Sequence, residues 1–285
     1  MSPCLLLFLP AAVINEDSLT KSRIGLAGHK VVLTIDDGYR SVYDYVYPLL
    51  KKYRMTATLG IIVNYLTDNK TGYGNPGSFL NYWQVREMMD SINIEIASHS
   101  LSHPWLTRLD SARAWDEIYR SKLILESLFG VPVITFIYPY GDLNNRVVRM
   151  VRRAGYRLAR AVRSGAVNFW VDPYRLPEFE LRRETGLEAV KAHIRQNPVT
   201  VLLLHRIVPW PSVFTEWPVD SFAALIKWMA DNQVRTMTLA ELYARWQQEL
   251  IGRLIKEREI IDTVLPPDLL FKNVNIDNTR TFQPR

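Results

Sequence analysis

The sequence contains a single cysteine, Cys4, among 285 residues. One cysteine excludes an intramolecular disulfide and leaves the redox compartment open. The first residues, MSPCLLLFLPAAV, lack the positive charge that begins a secretory signal, and no later apolar run is long enough to span a bilayer. For residues 1–28 the alternatives are a signal or anchor remnant and a segment packed on the fold, and we favour a remnant.

The sequence also lacks a basic run that resembles a nucleic-acid-binding arm. Its 35 basic and 29 acidic residues give a net charge of +6 and a pI near 9.3. A basic balance suits anionic partners such as wall polymers, nucleic acid or membrane surfaces. Because the basic residues are scattered, we expect no specific nucleic-acid partner. The content of 48% hydrophobic and 22% charged residues is typical of a globular protein with a sizeable core.

Apolar strand patterns alternate with helical patterns between residues 29 and 250. This order is typical of parallel βαβ units, and seven or eight strands favour an α/β fold of the distorted (β/α) barrel type. We therefore predict one folded domain over 29–250 and a C-terminal tail or extension over 251–285. The predicted strands cover residues 29–35, 56–63, 94–99, 133–139, 156–162, 174–181, 199–205 and 234–239.

Helix boundaries carry recognisable capping signals. Asn81, with Gln84 three residues later, predicts a capping box at the start of a helix. Thr107 is the predicted cap of a long helix that ends at Gly130. Pro48 predicts a break or a new helix start in the helical pattern after the first strand.

Polar side chains follow four of the predicted strands at the point where each strand ends. Asp36 and Asp37 follow the first, the histidines of SHSLSHP the third, Tyr140 the fourth, and His205 ends the run VTVLLLH. The carboxyl ends of parallel barrel strands meet at one face, where active sites lie. We therefore expect these residues to converge in an active site.

The spacing of two of these histidines suits a divalent metal. If the segment turns helically, His99 and His103 face one side, and Asp36 or Asp37 can serve as a third ligand beside an open position. Alone, each pattern has an ordinary explanation: a turn for the aspartates, and surface or capping positions for the histidines. Their joint position at the strand ends favours the metal site.

Four short motifs occur in an order that resembles a known family. TIDDG (34–38), SHSLSHP (98–104), YPYG (138–141) and LLH (203–205) look like the successive motifs of the polysaccharide deacetylases, carbohydrate esterase family 4. The resemblance covers roughly residues 30–245 and is nearest in motif form to poly-β-1,6-N-acetylglucosamine deacetylases. It implies a NodB-like hydrolase of linear amide bonds that removes N-acetyl groups from an amino-sugar polysaccharide and releases acetate.

The resemblance also implies a role for each motif residue. Asp36 would be the general base, while Asp37, His99 and His103 would hold a divalent metal, expected to be zinc. The backbone N–H of Tyr140 would stabilise the oxyanion.

Further residues are assigned to the leaving group and the substrate. His205 would be the general acid that protonates the leaving amine, and Leu203 would line the pocket for the acetyl methyl group. We place Trp210 and Arg175 with Leu203 among the substrate-binding residues. Trp210 and Trp217 are predicted to be exposed beside the site, where they could stack on sugar rings, whereas we assign the other aromatics near the cleft, such as Trp105, to packing.

At two places the sequence departs from the family pattern, and both concern residues that contact the proposed base or acid. Ile137 takes the place of an arginine that orients the base in many members, and Arg175 is the candidate replacement. The usual partners of His205 are also unassigned, with Asp172 and Trp170 as candidate counterparts.

Three alternative functions remain open on the sequence: a polysaccharide O-acetyl esterase, a non-catalytic carbohydrate-binding relative, and a basic nucleic-acid-binding barrel. The presence of every motif residue argues against the non-catalytic relative, and only the net charge supports the nucleic-acid-binding barrel. An N-acetylated glycan polymer is the expected partner, and an extracytoplasmic or cell-envelope location is the expected one.

Overall fold

The computed structural model describes residues 26–66, 78–165, 167–168 and 171–264. Most of the N-terminal segment, the end of the C-terminal extension, and Trp170 lie outside these residues. Within them, strands and helices alternate along the chain, as the sequence predicts.

Seven parallel strands close into a barrel, which confirms the predicted fold class. Strands β1 to β7 pair in sequence order, and β7 pairs with β1 along the whole of Lys30–Ile35 to close the ring. An eighth strand, β10, pairs with the first half of β1, while β2 pairs with the second half. The strands are β1 (Lys30–Ile35), β2 (Thr58–Ile61), β3 (Glu95–Ser98), β4 (Thr135–Ile137), β5 (Leu158–Ser164), β6 (Leu176–Glu180), β7 (Val199–Leu204), β8 (Arg206–Val208), β9 (Glu216–Pro218) and β10 (Arg235–Met237).

Seven helices occur in the described part of the chain. They are α1 (Tyr47–Tyr53), α2 (Tyr82–Ile92), α3 (Ser111–Phe129), α4 (Asn145–Arg153), α5 (Leu187–Gln196), α6 (Val219–Asp231) and α7 (Leu239–Val264). The predicted capping box at Asn81 is confirmed, because its side chain accepts from the Gln84 N–H while the Gln84 side chain accepts from the Asn81 N–H. A π-helical turn precedes α1, which has Pro48 at its second position, so the predicted break is also confirmed.

The core has two parts that follow the alternation of the strands. The larger apolar cluster packs the outer faces of the strands against the helices. The smaller one joins Val32 and Val201 on the strands to Leu239 and Leu242 of α7. Because successive side chains point to opposite faces, Asp36 continues the face of β1 that carries Val32. This alternation brings a carboxylate to the inner face at the end of β1.

Three local predictions differ from the structure. Asp110, not Thr107, caps α3, because the Thr107 side chain instead donates to Asp142. The segment after His205, predicted to be an exposed loop, contains the paired strands β8 and β9. Helix α7 runs past residue 250, the predicted domain edge, to Val264. No helix among the described residues combines the length and apolar character needed to cross a membrane.

Candidate metal centre and active site

The turn after β1 places two aspartates at the carboxyl end of the barrel. Asp37 has a φ of 71° and Gly38 a φ of 74°, so the chain leaves the strand through two left-handed residues. Such a conformation is strained for an aspartate, whereas glycine adopts it readily. Asp36 is 2% exposed, and its Oδ1 has no hydrogen-bond partner among the described residues. A buried carboxylate with a free oxygen needs a ligand or a proton to offset its desolvation.

The segment after β3 brings the two histidines together without forming the helix that their spacing suggested. Ser100 and His103 have positive φ values of 68° and 64°, so the chain turns through a loop. The Nε2 atoms of His99 and His103 nevertheless lie 3.1 Å apart. His99 Nδ1 lies 2.8 Å from the Ile137 carbonyl oxygen. Because a carbonyl oxygen can only accept a hydrogen bond, Nδ1 carries the proton, and the lone pair of Nε2 is available to a metal.

Three donor atoms converge at distances that fit a metal ion. Asp37 Oδ1 lies 3.4 Å from His99 Nε2 and 3.6 Å from His103 Nε2. Tetrahedral zinc with ligands at about 2.0–2.1 Å would hold its donors about 3.3 Å apart. Asp37 Oδ1 is also buried without a hydrogen bond among the described residues. The residues present therefore fit a divalent cation, and the predicted ligand set is brought together.

The three ligands perturb one another's protonation. Burial raises the pKa of Asp37, but the close contact with His99 and the charges of the surrounding histidines outweigh it and lower the pKa to about 2. Burial lowers the pKa of His99, yet the neighbouring carboxylates shift it upward overall. Burial and the charge of His99 lower the pKa of His103 to about 4. His103 is therefore neutral at pH 7, as a metal ligand must be.

Arg160, which the sequence analysis did not identify, occupies the position behind Asp36. Its Nη2 donates to Asp36 Oδ2, and its side chain is completely buried. Arg175, the predicted replacement for the family arginine, instead pairs with Asp172 at 3.2 Å, and neither residue lines the site cavity. This prediction is wrong because Arg175 directly precedes β6, away from the carboxyl ends of the strands where Asp36 lies, whereas the contact comes from Arg160 within β5.

The space beside this pair is filled by an apolar side chain. A Cβ added at Gly60 would lie 2.9 Å from Ile137 Cδ1 and 3.3 Å from Asp36 Oδ1. Ile137 therefore packs close to the base on the inner side of the barrel. Glycine at position 60 makes room for both side chains.

A cavity of about 510 Å³ opens over the aspartates and histidines. His205 lines it, and the buried His205 Nδ1 has no hydrogen-bond partner among the described residues. Tyr140, at a φ of 57°, packs edge-on to His103 and stacks face to face with Trp105 at 4.4 Å. Trp105 thus forms part of a cavity wall, although the sequence analysis assigned it to packing.

The remaining predicted substrate residues lie away from the cavity lining. Trp210 is 87% exposed but does not line the cavity. Trp217 is buried and donates its indole N–H to the Thr185 carbonyl, so its predicted exposure is wrong. Leu203 is fully buried on β7. Phe214, from the loop between β8 and β9, is the aromatic residue of this segment that reaches the lining.

Strained residues concentrate at this site. The described residues include seven non-glycine positions with positive φ, and Asp37, Ser100, His103 and Tyr140 are four of them. Left-handed conformations cost about 1 kcal/mol or more each, and they persist where the surrounding structure enforces them. Their occurrence at or next to one cavity supports a functional role for it.

Comparison with known families agrees with this site. The family model described as polysaccharide deacetylase matches residues 25–159. Residues 25–159 belong to the polysaccharide deacetylase family. The matched region contains Asp36, Asp37, His99, His103 and Tyr140; the sequence resemblance is thereby confirmed for this part of the chain.

Two curated relatives match about half of the chain. YxkH of Bacillus subtilis is 29% identical over 138 residues, which cover 48% of this chain and 46% of the relative. The poly-β-1,6-N-acetyl-D-glucosamine N-deacetylase of Staphylococcus epidermidis is 27% identical over 155 residues, which cover 52% of this chain and 53% of the relative. The chain thus spans about half the length of these curated relatives.

A solved structure extends the likeness of fold to most of the chain. The peptidoglycan deacetylase PdaC from Bacillus subtilis aligns with a TM-score of 0.54 at 18% identity, covering 81% of this chain and 96% of that one. At this identity the alignment supports the barrel fold alone. His205 and Arg160 lie outside the residues that the family model matches, and their assignment depends on the geometry.

Arg160 could have been found from strand periodicity. It is the one charged residue of the run Leu158–Val162 and lies on the same alternating face of the strand as Leu158. A buried charge in such a run requires a partner. The sequence could not name that partner, because Asp36 is 124 positions away.

Proposed function

We propose that this protein is a metal-dependent hydrolase that removes N-acetyl groups from an amino-sugar polysaccharide and releases acetate. One observation supports this proposal above all: a single cavity is lined by the three candidate metal ligands and by two further polar residues. The ligands are Asp37, His99 and His103, and the other two residues are Asp36 and His205. A metal site, a second carboxylate and a third histidine together supply the groups that amide hydrolysis requires.

Asp37, His99 and His103 would hold the divalent cation. We propose zinc, because two histidines and one carboxylate with an open fourth position are typical of catalytic zinc sites. When bound, such a cation polarises a carbonyl group and acidifies water. The Ile137 carbonyl orients His99 for this role through Nδ1.

The other site residues would move the protons of the reaction. Asp36, held by Arg160, takes one proton from the attacking water as its oxygen bonds to the acetyl carbonyl carbon. The Tyr140 N–H stabilises the oxyanion that forms. The C–N bond then breaks, His205 donates a proton to the leaving nitrogen, and acetate and the free amine result.

The cavity walls support a sugar substrate. The stacked rings of Tyr140 and Trp105 offer an aromatic face, and Phe214 adds a third ring on the lining. Leu203 remains the proposed contact of the acetyl methyl group, with Ile62 and Val162 as the aliphatic residues on the lining itself.

The substrate class is an N-acetylated glycan polymer. One relative is named for poly-β-1,6-N-acetyl-D-glucosamine and a solved neighbour for peptidoglycan, which supports this choice. Because such polymers belong to the cell envelope, we also propose that the protein works in an extracytoplasmic or envelope-associated location. Fractionation of cells that produce the full chain tests that location.

Acetate release from N-acetylglucosamine oligomers tests the proposed function. We expect zinc-loaded wild-type protein to release acetate and Asp36→Asn to release none while keeping its metal. Asp44→Asn is the matched control, because Asp44 lies on the surface beside Arg40. Full activity of Asp36→Asn would contradict its role as base. Release of acetate from O-acetylated xylan but from no N-acetylated oligomer would favour the esterase alternative.

A further inference from the structure

A second cavity, of about 640 Å³, lies between α3 and α4, outside the catalytic cavity. Ser111 and Trp115 of α3 line one side, and Arg146, Arg149 and Arg153 of α4 line the other. We call this feature the arginine groove. Its three arginines are spaced at three and four residues, so they lie on one face of α4.

The arginine groove carries uncompensated positive charge. Helix α4, with sequence NRVVRMVRR, has four arginines and no acidic residue. In the described part of the chain, neither Arg149 nor Arg153 forms an ion pair, and both are exposed. The nearby acids of α3 already have arginines of their own: Asp110 pairs with Arg113 and Asp116 with Arg120.

The groove is held in a fixed shape. Arg146 donates to the carbonyls of Leu106, Thr107 and Leu109 at 2.9 to 3.2 Å, and to the Ser111 hydroxyl at 3.2 Å. The guanidinium of Arg153 lies over the Trp115 ring, 5.5 Å from its centre. Arg146 therefore contributes charge and structure, while Arg149 and Arg153 keep donors for a ligand.

The same contacts join the groove to the catalytic cavity. Arg146 holds residues 106–109, which directly follow Trp105 of the aromatic wall. Thr107 also bonds through its N–H and its hydroxyl to Asp142, two residues after Tyr140, at 2.8 Å each. The segment that follows Trp105 is therefore bonded on one side to the groove through Arg146 and on the other to Asp142, close in sequence to Tyr140.

We propose that the arginine groove binds carboxylate or phosphate groups on the same glycan chain whose amide is hydrolysed in the cavity. This rests on the proposed function and narrows its substrate class to anionic glycans. Guanidinium groups bind such oxyanions through paired N–H donors. A glycan fits better than a membrane surface because the arginines line a concave groove, and Arg146 ties this groove to the segment that follows Trp105.

Binding of two labelled hexasaccharides tests the proposal without any turnover. One probe is a neutral N-acetylglucosamine oligomer, and the other alternates N-acetylglucosamine with glucuronate. We expect wild-type protein to bind the anionic probe about tenfold tighter at low salt, and this preference to disappear in Arg149→Gln/Arg153→Gln. Arg113→Gln/Arg120→Gln is the matched control, which removes two paired arginines of α3 and should keep the preference.

Several results would overturn the groove assignment. Equal binding of both probes by wild-type protein would do so. If the control variant lost the preference for the anionic probe to the same extent, the preference would depend on net charge and not on the groove. Arginine-dependent binding of duplex DNA or of phosphatidylglycerol vesicles, without such binding of the anionic hexasaccharide, would assign the groove to another partner. Because the readout is binding, failure of acetate release would contradict the proposed function and leave this assignment standing.

Discussion

Arg160 and Asp36 form a buried ion pair that joins β5 to the catalytic end of β1. Neither side chain is more than 3% exposed, and Arg160 does not line the cavity. The pair therefore holds the proposed base from behind, and we predict that Arg160 acts as a positioning residue without touching substrate.

Removing Arg160 should lower kcat and leave KM nearly unchanged. Arg160→Met leaves a buried carboxylate unpaired, which typically destabilises a fold by about 3–5 kcal/mol. Steady-state kinetics and thermal unfolding measure both effects, and Arg160→Lys should recover part of each. Arg175→Met, which removes a half-buried arginine away from the cavity lining, is the control. A rise in KM with unchanged kcat would show that Arg160 contacts substrate instead.

Removing one histidine ligand should abolish metal binding. We expect wild-type protein to carry about one zinc per chain and His99→Ala to carry almost none, because two ligands rarely retain zinc. Metal analysis after dialysis measures the content. His193→Ala is the control, since His193 stacks on Phe179 away from the site. Equal zinc content in both variants would remove these residues from the metal site.

Glu178 should make stability fall as pH rises. Burial raises the pKa of this carboxyl to about 7, against the opposing charge of Arg160. The folded protein then holds an extra proton between about pH 4.5 and pH 7, so its free energy of unfolding decreases across that window. Glu178→Gln should flatten this fall and gain on the order of 2–3 kcal/mol at pH 8.

Urea unfolding at pH 5 and pH 8 measures the effect of Glu178. Glu184→Gln is the control, because Glu184 is a glutamate close to Glu178 in the sequence but is exposed to solvent. If Glu178→Gln keeps the full pH dependence of wild type, another buried group is responsible.

Trp105 should bind substrate through its ring. Trp105→Ala removes one face of the stack with Tyr140, and aromatic contacts of this kind contribute about 0.5–1.5 kcal/mol. We expect KM for an N-acetylglucosamine oligomer to rise roughly three- to tenfold, with kcat nearly unchanged. Trp83→Ala, on the exposed face of α2, should have no effect. Trp210→Ala tests whether longer chains reach beyond the cavity lining.

The fold was accessible from sequence because local patterns determine its elements. Each of the eight predicted strands corresponds to a strand of the main sheet, since short apolar runs bounded by turn signals are strong indicators. The Asn81 capping box involves residues three positions apart and was also predictable. Thr107 was misassigned as a helix cap because its partner, Asp142, is 35 positions away.

The site was predictable where one short motif supplies neighbouring groups. His99 and His103 come from one loop, and the ligand set needed only one more motif, at Asp37. Arg160 and Trp217 were missed or misplaced because their environments depend on how distant strands pair. Alternation on a strand shows that a side chain is buried, but only the closed barrel shows which side chain it meets.

The close packing of Ile137 against Gly60 has an evolutionary consequence. A guanidinium at position 137 would have to share the dry space around Asp36 with that of Arg160, and two such charges repel strongly there. We therefore expect substitutions at positions 137 and 160 to be coupled: an arginine introduced at position 137 should be tolerated better when Arg160 has been replaced.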